Sequence, residues 1–553
     1  MRTPSLTSPA KAIAGRLAAF RPTVSQESLA VASGVLFATF YNTAFFQAAR
    51  QTGAFDGWPG TMAATSLWAI IAASTSLLLG LVLIRPAAKP LLAAVVLLAA
   101  ACSYYMGEYT VHIDDDMMRN ILRTDLKEAS ELATWSFAGH LLIYGLLPAV
   151  LLWRLNIPRL PLLRSLARRA ALIGLAVTVM VLSIVACSQQ VFPLLRNHKD
   201  LRSLITPGNA LVALGRVAFD RKQPAREART PAGIDARVLR EPHARPRLLV
   251  IVVGETVRAQ NWGMNGYARQ TTPKLAALSP FNFSDVTACG TSTEVALPCM
   301  FSLHGRHDYD RTRIEGTESV LHVLDRAGIP VMWRDNQTGC KGVCEGLPFE
   351  SFRHEKDPAH CVEDTCYDDI LLRNIDGLLD ALEGDAVLVL HQLGNHGPNY
   401  AKRYPGRFGA FEPACRSADL SRCSRDEIVN AYDNAIAFTD DVLARLIARL
   451  SKVERHATAM LYVSDHGESL GERGIYLHGM PYAIAPEEQK KVPMALWMSP
   501  AFGQEMKLSP ACVRERAALP ASHDNLSHTI LGLMRIETRD YLRHLDLLAA
   551  CTL

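Results

Sequence analysis

Hydrophobic residues are spread unevenly along the chain. Between Ser28 and Phe192 long apolar runs dominate, whereas beyond Lys222 short apolar segments are punctuated by charged residues, glycine and proline. Five N-terminal runs, roughly Leu29–Ala49, Met62–Ile84, Leu91–Val111, Trp135–Trp153 and Ala170–Phe192, are long enough to cross a bilayer as helices. Five such runs in succession are hard to reconcile with buried core helices and predict a multi-pass membrane domain. The first run lies too far from Met1, without a convincing small-residue cleavage site, to be a removable signal peptide.

The second half has a different period. Lys222–Arg247 is rich in Arg, Pro and Ala and reads as a linker. The β-branched run Leu248–Val253, ended by Gly254, predicts a strand buried on both faces. Similar runs at Pro330–Trp333, Ala386–His391 and Met460–Ser464 alternate with helix-like segments such as Ser319–Ala327 and Asn430–Leu450. This alternation predicts an α/β domain with a mostly parallel central sheet, following an α-helical transmembrane domain of five spans. The expected division is residues 1–200 for the membrane domain, 201–246 for a linker and bridging region, and 247–553 for the soluble domain. At 553 residues the chain is too long for one compact core, and a net charge of +4 is too small to suggest nucleic-acid binding.

Charge sets the orientation. Lys11, Arg16 and Arg21 precede span one, Arg85 and Lys89 lie between spans two and three, and Arg154, Arg159, Arg164, Arg168 and Arg169 lie between spans four and five. These clusters share the cytoplasmic side by the positive-inside rule. The loop between spans three and four carries Asp114, Asp115, Asp116, Asp125, Glu128 and Glu131 and falls on the opposite side, with everything after span five. Cysteines agree: Cys102 and Cys187 lie inside spans, while the other ten lie in the extracytoplasmic part. Four close pairs predict local disulfides in an oxidising compartment: Cys289 with Cys299, Cys340 with Cys344, Cys361 with Cys366, and Cys415 with Cys423. Cys340 and Cys344 have no second pair at finger spacing that would make them a zinc site.

In parallel α/β sheets, ligands bind beyond the carboxyl ends of the strands. There this chain places Glu255, the pair Asp465-His466, the segment Asn395-His396-Gly397, and Asp335-Asn336 with Lys341. Glu255, Asp465 and His466 offer the carboxylate and imidazole ligands that suit Zn²⁺ with one position left open. Taken alone, Asp-His after a strand is only a turn; beside Glu255 and the segment Cys289-Gly290-Thr291-Ser292-Thr293 it reads as a metal site. A Cys289–Cys299 disulfide would hold those hydroxyls in place, and a metal would activate one of them as a nucleophile. Spacing does not choose among Thr291, Ser292 and Thr293. Asn120, Thr124 and Glu128 recur every four residues and would line one face of a helix.

The strings VVGETVRAQNWGMNGYARQTTP, CGTSTEVALPCMFS, GNHGP and YVSDHGESLGERGIYLHGMPYAIAPEEQKKVP resemble the lipid A phosphoethanolamine transferases, which include the mobile colistin-resistance enzymes and belong to the alkaline phosphatase and sulfatase superfamily. The resemblance runs from the membrane spans nearly to the C-terminus. It implies that Glu255, Thr293, Asp465 and His466 bind one tight zinc and that Thr293 is the nucleophile. It implies further that His396 and His478 hold the transferred phosphate, directly or through a second, weaker zinc, that Lys341 contacts the lipid headgroup, and that Asn120, Thr124 and Glu128 bind its ethanolamine. Glu294-Val295-Ala296 departs from relatives, which often carry another hydroxyl there, and Cys512 and Cys551 have no place in the family pattern.

The function so implied is transfer of phosphoethanolamine from phosphatidylethanolamine to a lipid A phosphate through a phosphothreonine ester, with release of diacylglycerol and with His396 or His478 as proton donor. The enzyme would sit as a monomer in a bacterial inner membrane, with its catalytic domain in the periplasm. Alternatives are transfer to a core sugar or another envelope glycan, a membrane-tethered phosphodiesterase or sulfatase, and a non-enzymatic zinc-binding sensor. An intact Thr293 disfavours the last.

Overall fold

The computed structural model describes residues 21–124, 126–220, 229–240, 244–363 and 365–553. Lys11 and Arg16 of the first basic cluster, and Asp125 of the acidic loop, lie outside the described residues, as does part of the predicted linker. The chain forms two compact units. One holds the described residues up to Met118 together with Trp135–Ala218; the other holds Arg119–Thr134 and Phe219–Leu553.

The first unit is helical. Gly57–Val82, Ala88–Glu108, Trp135–Arg154 and Leu162–Asn197 are each long and apolar enough to cross a membrane. A fifth span exists if the bent pair Gln26–Tyr41 and Thr43–Gln51 is counted as one, and here the structure departs from the unbroken span expected at Leu29–Ala49: the two halves meet at 50°. The break is chemically provided for. The Asn42 side chain donates to the Phe37 and Thr206 carbonyls at 2.9 and 2.7 Å and accepts the Thr206 amide at 2.9 Å, so buried backbone groups keep partners where water cannot supply them. At one end of the bundle the basic residues anchor turns: Arg85 Nε donates to the Ile157 carbonyl, Lys89 Nζ to Trp153 and an Arg169 nitrogen to Leu83.

Described parts of residues 201–246, expected as a linker and bridging region, carry regular structure. Gly208–Asp220 is a helix that buries Ala210, Ala213 and Val217 in the first unit's core, and Arg237–Val238 pairs antiparallel with Ile536–Glu537. The Ala-, Leu- and Val-rich face at 210–217 is too short to register as a span, yet it is apolar enough to pack.

The second unit is built on an eight-stranded sheet. Its strands are β1 Arg247–Gly254, β2 Phe281–Thr287, β3 Val331–Asp335, β4 Phe349–Ser351, β5 Ala386–His391, β6 Ala457–Ser464, β7 Lys491–Met498 and β8 Ala521–Ser522. The spatial order is β8-β2-β7-β6-β1-β5-β3-β4. Among these strands β7 runs against the rest; every other neighbouring pair is parallel. Strands β1, β5 and β6 are buried at every position, which is why their sequences are continuous apolar runs. Four strands escaped the sequence pattern: β4 and β8, only three and two residues long, and the longer β2 and β7. In β2, polar Asn282, Ser284 and Asp285 interrupt the run, and in β7 Pro493 sits at a register shift between Val492 and Met494. The long helix Arg425–Leu450 starts at a capping box of Ser424 and Glu427.

Five disulfides hold this unit. Cys289 bonds to Cys299, Cys340 to Cys344, Cys361 to Cys366 and Cys415 to Cys423. Cys361 and Cys366 face each other across a short antiparallel hairpin, and Cys423 directly precedes the cap residue Ser424, so its bridge to Cys415 ties a loop to the start of the long helix. The fifth bond, Cys512–Cys551, closes 39 residues and pairs the two cysteines that the family pattern left unplaced. Cys102 and Cys187 are free and buried. The span of the fifth loop implies a denatured-state constraint of about 4 kcal/mol. Cys512→Ser is therefore expected to lower the stability of this unit by about 2–4 kcal/mol, read as an earlier denaturant midpoint by tryptophan fluorescence on the full-length protein.

Candidate active site

Four parallel strands and one loop converge at one sheet edge. Glu255 follows β1 directly, Asp465 and His466 follow β6, Gln337 follows β3, and His396 lies five residues past β5. Because β2 runs parallel to β6 across the reversed β7, its carboxyl end also points to this edge. There it delivers the Cys289–Cys299 loop and Thr293, the first residue of the helix Thr293–Met300.

Glu255, Asp465 and His466 are wholly buried, and one ligand atom from each lies within 4.8 Å of the others. The Thr293 hydroxyl donates to the Glu255 carboxylate, with Oε1 at 3.1 Å and Oε2 at 3.0 Å, and stands 3.4 Å from His466 Nε2. Thr291 turns away, its hydroxyl bonded to the Met480 carbonyl at 2.6 Å. Of the three residues that spacing left open, Thr293 is the one whose hydroxyl lies against the acidic cluster. His466 Nδ1 donates to the Gly467 carbonyl at 2.9 Å, which turns Nε2 toward the cluster. Glu255 Oε2 also accepts from Gln337 Nε2 at 2.8 Å, a contact with no signal in the sequence beyond the strand-end position of Gln337.

The electrostatics call for a cation. Burial, then the neighbouring Glu255 charge, push Asp465 up to about 6. Burial works against a charge on His466, but Asp465 and Glu255 outweigh it and raise the imidazole to about 10. Burial likewise opposes the charge on Glu255, yet its bond to His466 holds the carboxyl well below the usual range. Asp465 Oδ1 accepts the amides of Thr256 and His466, while Oδ2 is buried with no hydrogen-bond partner. An orphaned carboxylate oxygen beside a second carboxylate, an imidazole and a hydroxyl is a donor set that fits a divalent metal.

Backbone geometry holds these ligands at some cost. Thr256 has φ +56°, an unfavourable region for a β-branched residue, and its hydroxyl closes on the Glu255 carbonyl at 2.8 Å. Gly394 has φ +54°, and a Cβ there would lie 2.5 Å from the Glu255 carbonyl oxygen.

Residues 71–221 match the phosphoethanolamine transferase EptA/EptB family, and residues 247–536 match the sulfatase family. Phosphoethanolamine transferase EptA of Escherichia coli K12 is 35% identical over 541 residues, covering 96% of this chain and 98% of the relative. The chain belongs to this family. Phosphatidylethanolamine transferase Mcr-1 of Escherichia coli is 35% identical, with 94% of this chain and 96% of the relative covered. The structure of the integral membrane protein lipooligosaccharide phosphoethanolamine transferase A (EptA) from Neisseria meningitidis superposes with a TM-score of 0.93 at 33% identity, covering 96% of this chain and all of that one. The membrane helices and the sulfatase-like domain are thus those of a multi-pass membrane protein of this family.

The other expected site residues gather less uniformly. His478 stacks near His466 with ring centroids 4.5 Å apart, and His396 lies 5.5 Å from His478. Burial drives His396 down to about 3, so it is neutral at physiological pH. His478 Nδ1 instead donates to Glu468 at 2.7 Å, and Glu468, fully buried, is held by the Tyr400 hydroxyl at 2.6 Å. Lys341 is engaged with its own loop, Nζ donating to the Thr338 hydroxyl at 2.6 Å. Asn120, Thr124 and Glu128 do not share a continuous helix face as expected. The helix Asp115–Arg123 stops, Thr124 bonds back to the Asn120 carbonyl through both its amide and its hydroxyl, and a new helix begins at Leu126. Glu128 still approaches the site, 4.0 Å from His396 Nε2.

One residue absent from the sequence reading is His523. Its Nδ1 accepts the Cys289 amide at 3.1 Å and its Nε2 donates to the Ser464 carbonyl at 3.0 Å, joining the Cys289–Cys299 loop to the end of the strand that precedes Asp465. An isolated His at the end of a short strand carries no chemical signature, so only the fold reveals it.

Two outcomes follow from this geometry. Gly394→Ala should push the Glu255 backbone aside and lower the bound metal per protein, measured by inductively coupled plasma mass spectrometry, with wild-type stoichiometry as the contrary result. Burial lowers His523 from 6.5 to about 4. The unfolded chain therefore takes up this proton before the fold does, and stability present above about 6.5 falls by up to about 3 kcal/mol as pH drops toward 4. His523→Gln should flatten that slope in denaturant midpoints measured between pH 7.5 and 5.

Proposed function

We propose that this protein transfers phosphoethanolamine from phosphatidylethanolamine to a phosphate of lipid A, using Thr293 as a covalent nucleophile. The observation that carries the reading is the Thr293 hydroxyl at 3.0 Å from Glu255, inside a buried cluster whose Asp465 oxygen has no partner. Glu255, Thr293, Asp465 and His466 would hold one zinc, the metal that this mix of carboxylate, imidazole and hydroxyl ligands suits. When bound there, zinc supplies a lowered hydroxyl pKa and offsets charge on the phosphoryl oxygens.

The residues of the chain then divide the work. Thr293 Oγ attacks the donor phosphorus, the bond to diacylglycerol breaks, and phosphoethanolamine remains esterified to Thr293. A lipid A phosphate oxygen attacks that ester and frees the hydroxyl. His478 is the better placed of the two histidines to give the proton: the Nδ1 bond to buried Glu468 orients its ring 4.5 Å from that of His466, whereas burial keeps His396 neutral. His396 and Lys341 orient the phosphate, and Glu128, with Asn120 and Thr124 on the same segment, faces the ethanolamine ammonium.

Names of the relatives support the transferred group, the donor and a lipid A-type acceptor: Escherichia coli K12 has a phosphoethanolamine transferase EptA and a Kdo(2)-lipid A phosphoethanolamine 7''-transferase among the matches, and Mcr-1 is named a phosphatidylethanolamine transferase. Five disulfides and the charge pattern favour a periplasmic catalytic domain, residues 247–553, carried by a bacterial inner-membrane anchor. Adding an ammonium to lipid A weakens electrostatic recruitment of cationic peptides such as polymyxins.

Thr293→Ala should reduce transfer by about 10³-fold or more while metal stays bound through three ligands. The test incubates full-length protein with headgroup-labelled phosphatidylethanolamine and lipid A, follows label into lipid A, and seeks a phosphoethanolamine adduct on the Thr293 peptide. Label appearing only in water would identify a phosphodiesterase, and label in a core sugar would move the acceptor. Near-normal turnover by Thr293→Ala would remove the nucleophile assignment.

A further inference from the structure

The segment Arg119–Thr134 belongs to the same compact unit as the sulfatase-like domain although it precedes that domain by about a hundred residues. Two ion pairs of opposite polarity hold it there. At one end Arg123 pairs with Glu294, the residue beside Thr293 and 171 positions away in sequence. At the other, Glu131 pairs with Arg403, which also donates its Nε to the His396 carbonyl at 2.6 Å. Between the two anchors Glu128 stands 4.0 Å from both His396 and Arg353.

Glu294 is built as a socket. Its side chain is 1% exposed, and Arg311, at the start of the helix Arg311–Gly316 of the same unit, donates to it at 3.1 Å while being held by Glu315 at 2.8 Å. A buried carboxylate without a partner is strongly destabilising, and Arg311 prevents that whether or not Arg123 is present. The Arg123 side chain, 44% exposed, is therefore a second partner that can leave without stranding a charge. The other anchor has the converse sign, a 3% exposed Arg403 receiving Glu131. A segment positive at one end and negative at the other, meeting complementary sockets, docks in a single direction.

We propose that Arg123–Glu294 and Glu131–Arg403 form a two-point latch that positions residues 119–134 over the nucleophile and so sets the enzyme's affinity for the lipid headgroup. These four are positioning residues: they act through the segment and through His396. The part concerning the headgroup rests on the function proposed above, whereas the latch itself can be read without any substrate.

The experiment uses full-length protein in lipid nanodiscs. In Arg123→Ala and, separately, Glu131→Gln, amide hydrogen exchange over residues 119–134 should rise by about fivefold relative to wild type, with metal content unchanged and Arg123→Lys restoring much of the protection. The same variants should raise KM for phosphatidylethanolamine by a similar factor with kcat within about twofold, and added salt should raise the wild-type KM more than theirs. Unchanged exchange in both variants would overturn the latch, and lost kcat at constant KM would overturn its role in headgroup binding. If wild type turns over no phosphatidylethanolamine, the donor assignment falls while the exchange result still decides the latch.

Discussion

Two carboxylates and an imidazole buried together are the constraint on which the sulfatase-like unit turns. Glu255 and Asp465 lie wholly inside the protein; burial and then the Glu255 charge raise the affinity of Asp465 for a proton, and the two carboxylates raise that of His466. Such a cluster is tolerable only when a positive charge neutralises it, a proton on His466 or a metal ion among the ligands. A hydroxyl bonded to this buried cluster, as that of Thr293 is, sits in a different chemical setting from the Thr291 hydroxyl, which bonds to a backbone carbonyl.

Holding like charges together needs a frame that does not relax. Central strands β1 and β6, paired in register from Arg247↔Ala457 to Gly254↔Ser464, fix Glu255 beside Asp465. Thr256 in a left-handed conformation and the close pass of Gly394 over the Glu255 backbone are the local costs of that placement, offset by the packed core beneath the sheet. His523 and the Cys289–Cys299 bridge do for the loop that carries Thr293 what the strands do for Glu255 and Asp465.

A bilayer imposes the analogous demand on the helical unit. Apolar surface needs no special arrangement there, whereas every broken backbone bond does, and Asn42 answers it at the bend of the first span. The short segment after the third span obeys neither rule: it is amphipathic and charged, and ion pairs to the sulfatase-like domain decide where it belongs.

By itself the sequence determined whatever depends on composition over many residues or on chemistry at a strand end. Continuous apolar runs specified the spans and the three fully buried strands, because a helix in lipid and a strand covered on both faces leave no choice of polar residue. Glu255 and Asp465-His466 stood out because ligand-type side chains directly follow such strands. Close cysteine pairs such as Cys361 with Cys366 and Cys415 with Cys423 stood out because a short loop joins them. What the tertiary structure alone decided rests on contacts between residues distant in the chain. Strands β2 and β7 carry polar residues or proline and are stabilised by their neighbours, so no local pattern marked them. The bend at Asn42 turns on one side chain meeting backbone groups far away in the chain, and Cys512 finds Cys551 across 39 residues. Thr293 was separated from Thr291 only by where each hydroxyl points, and Gln337, Glu294 and His523 acquire meaning from partners 82, 171 and 234 positions away. Hydrophobic burial is averaged over many positions and is legible in one dimension; a hydrogen bond or ion pair is made by two particular atoms, and the fold chooses which two.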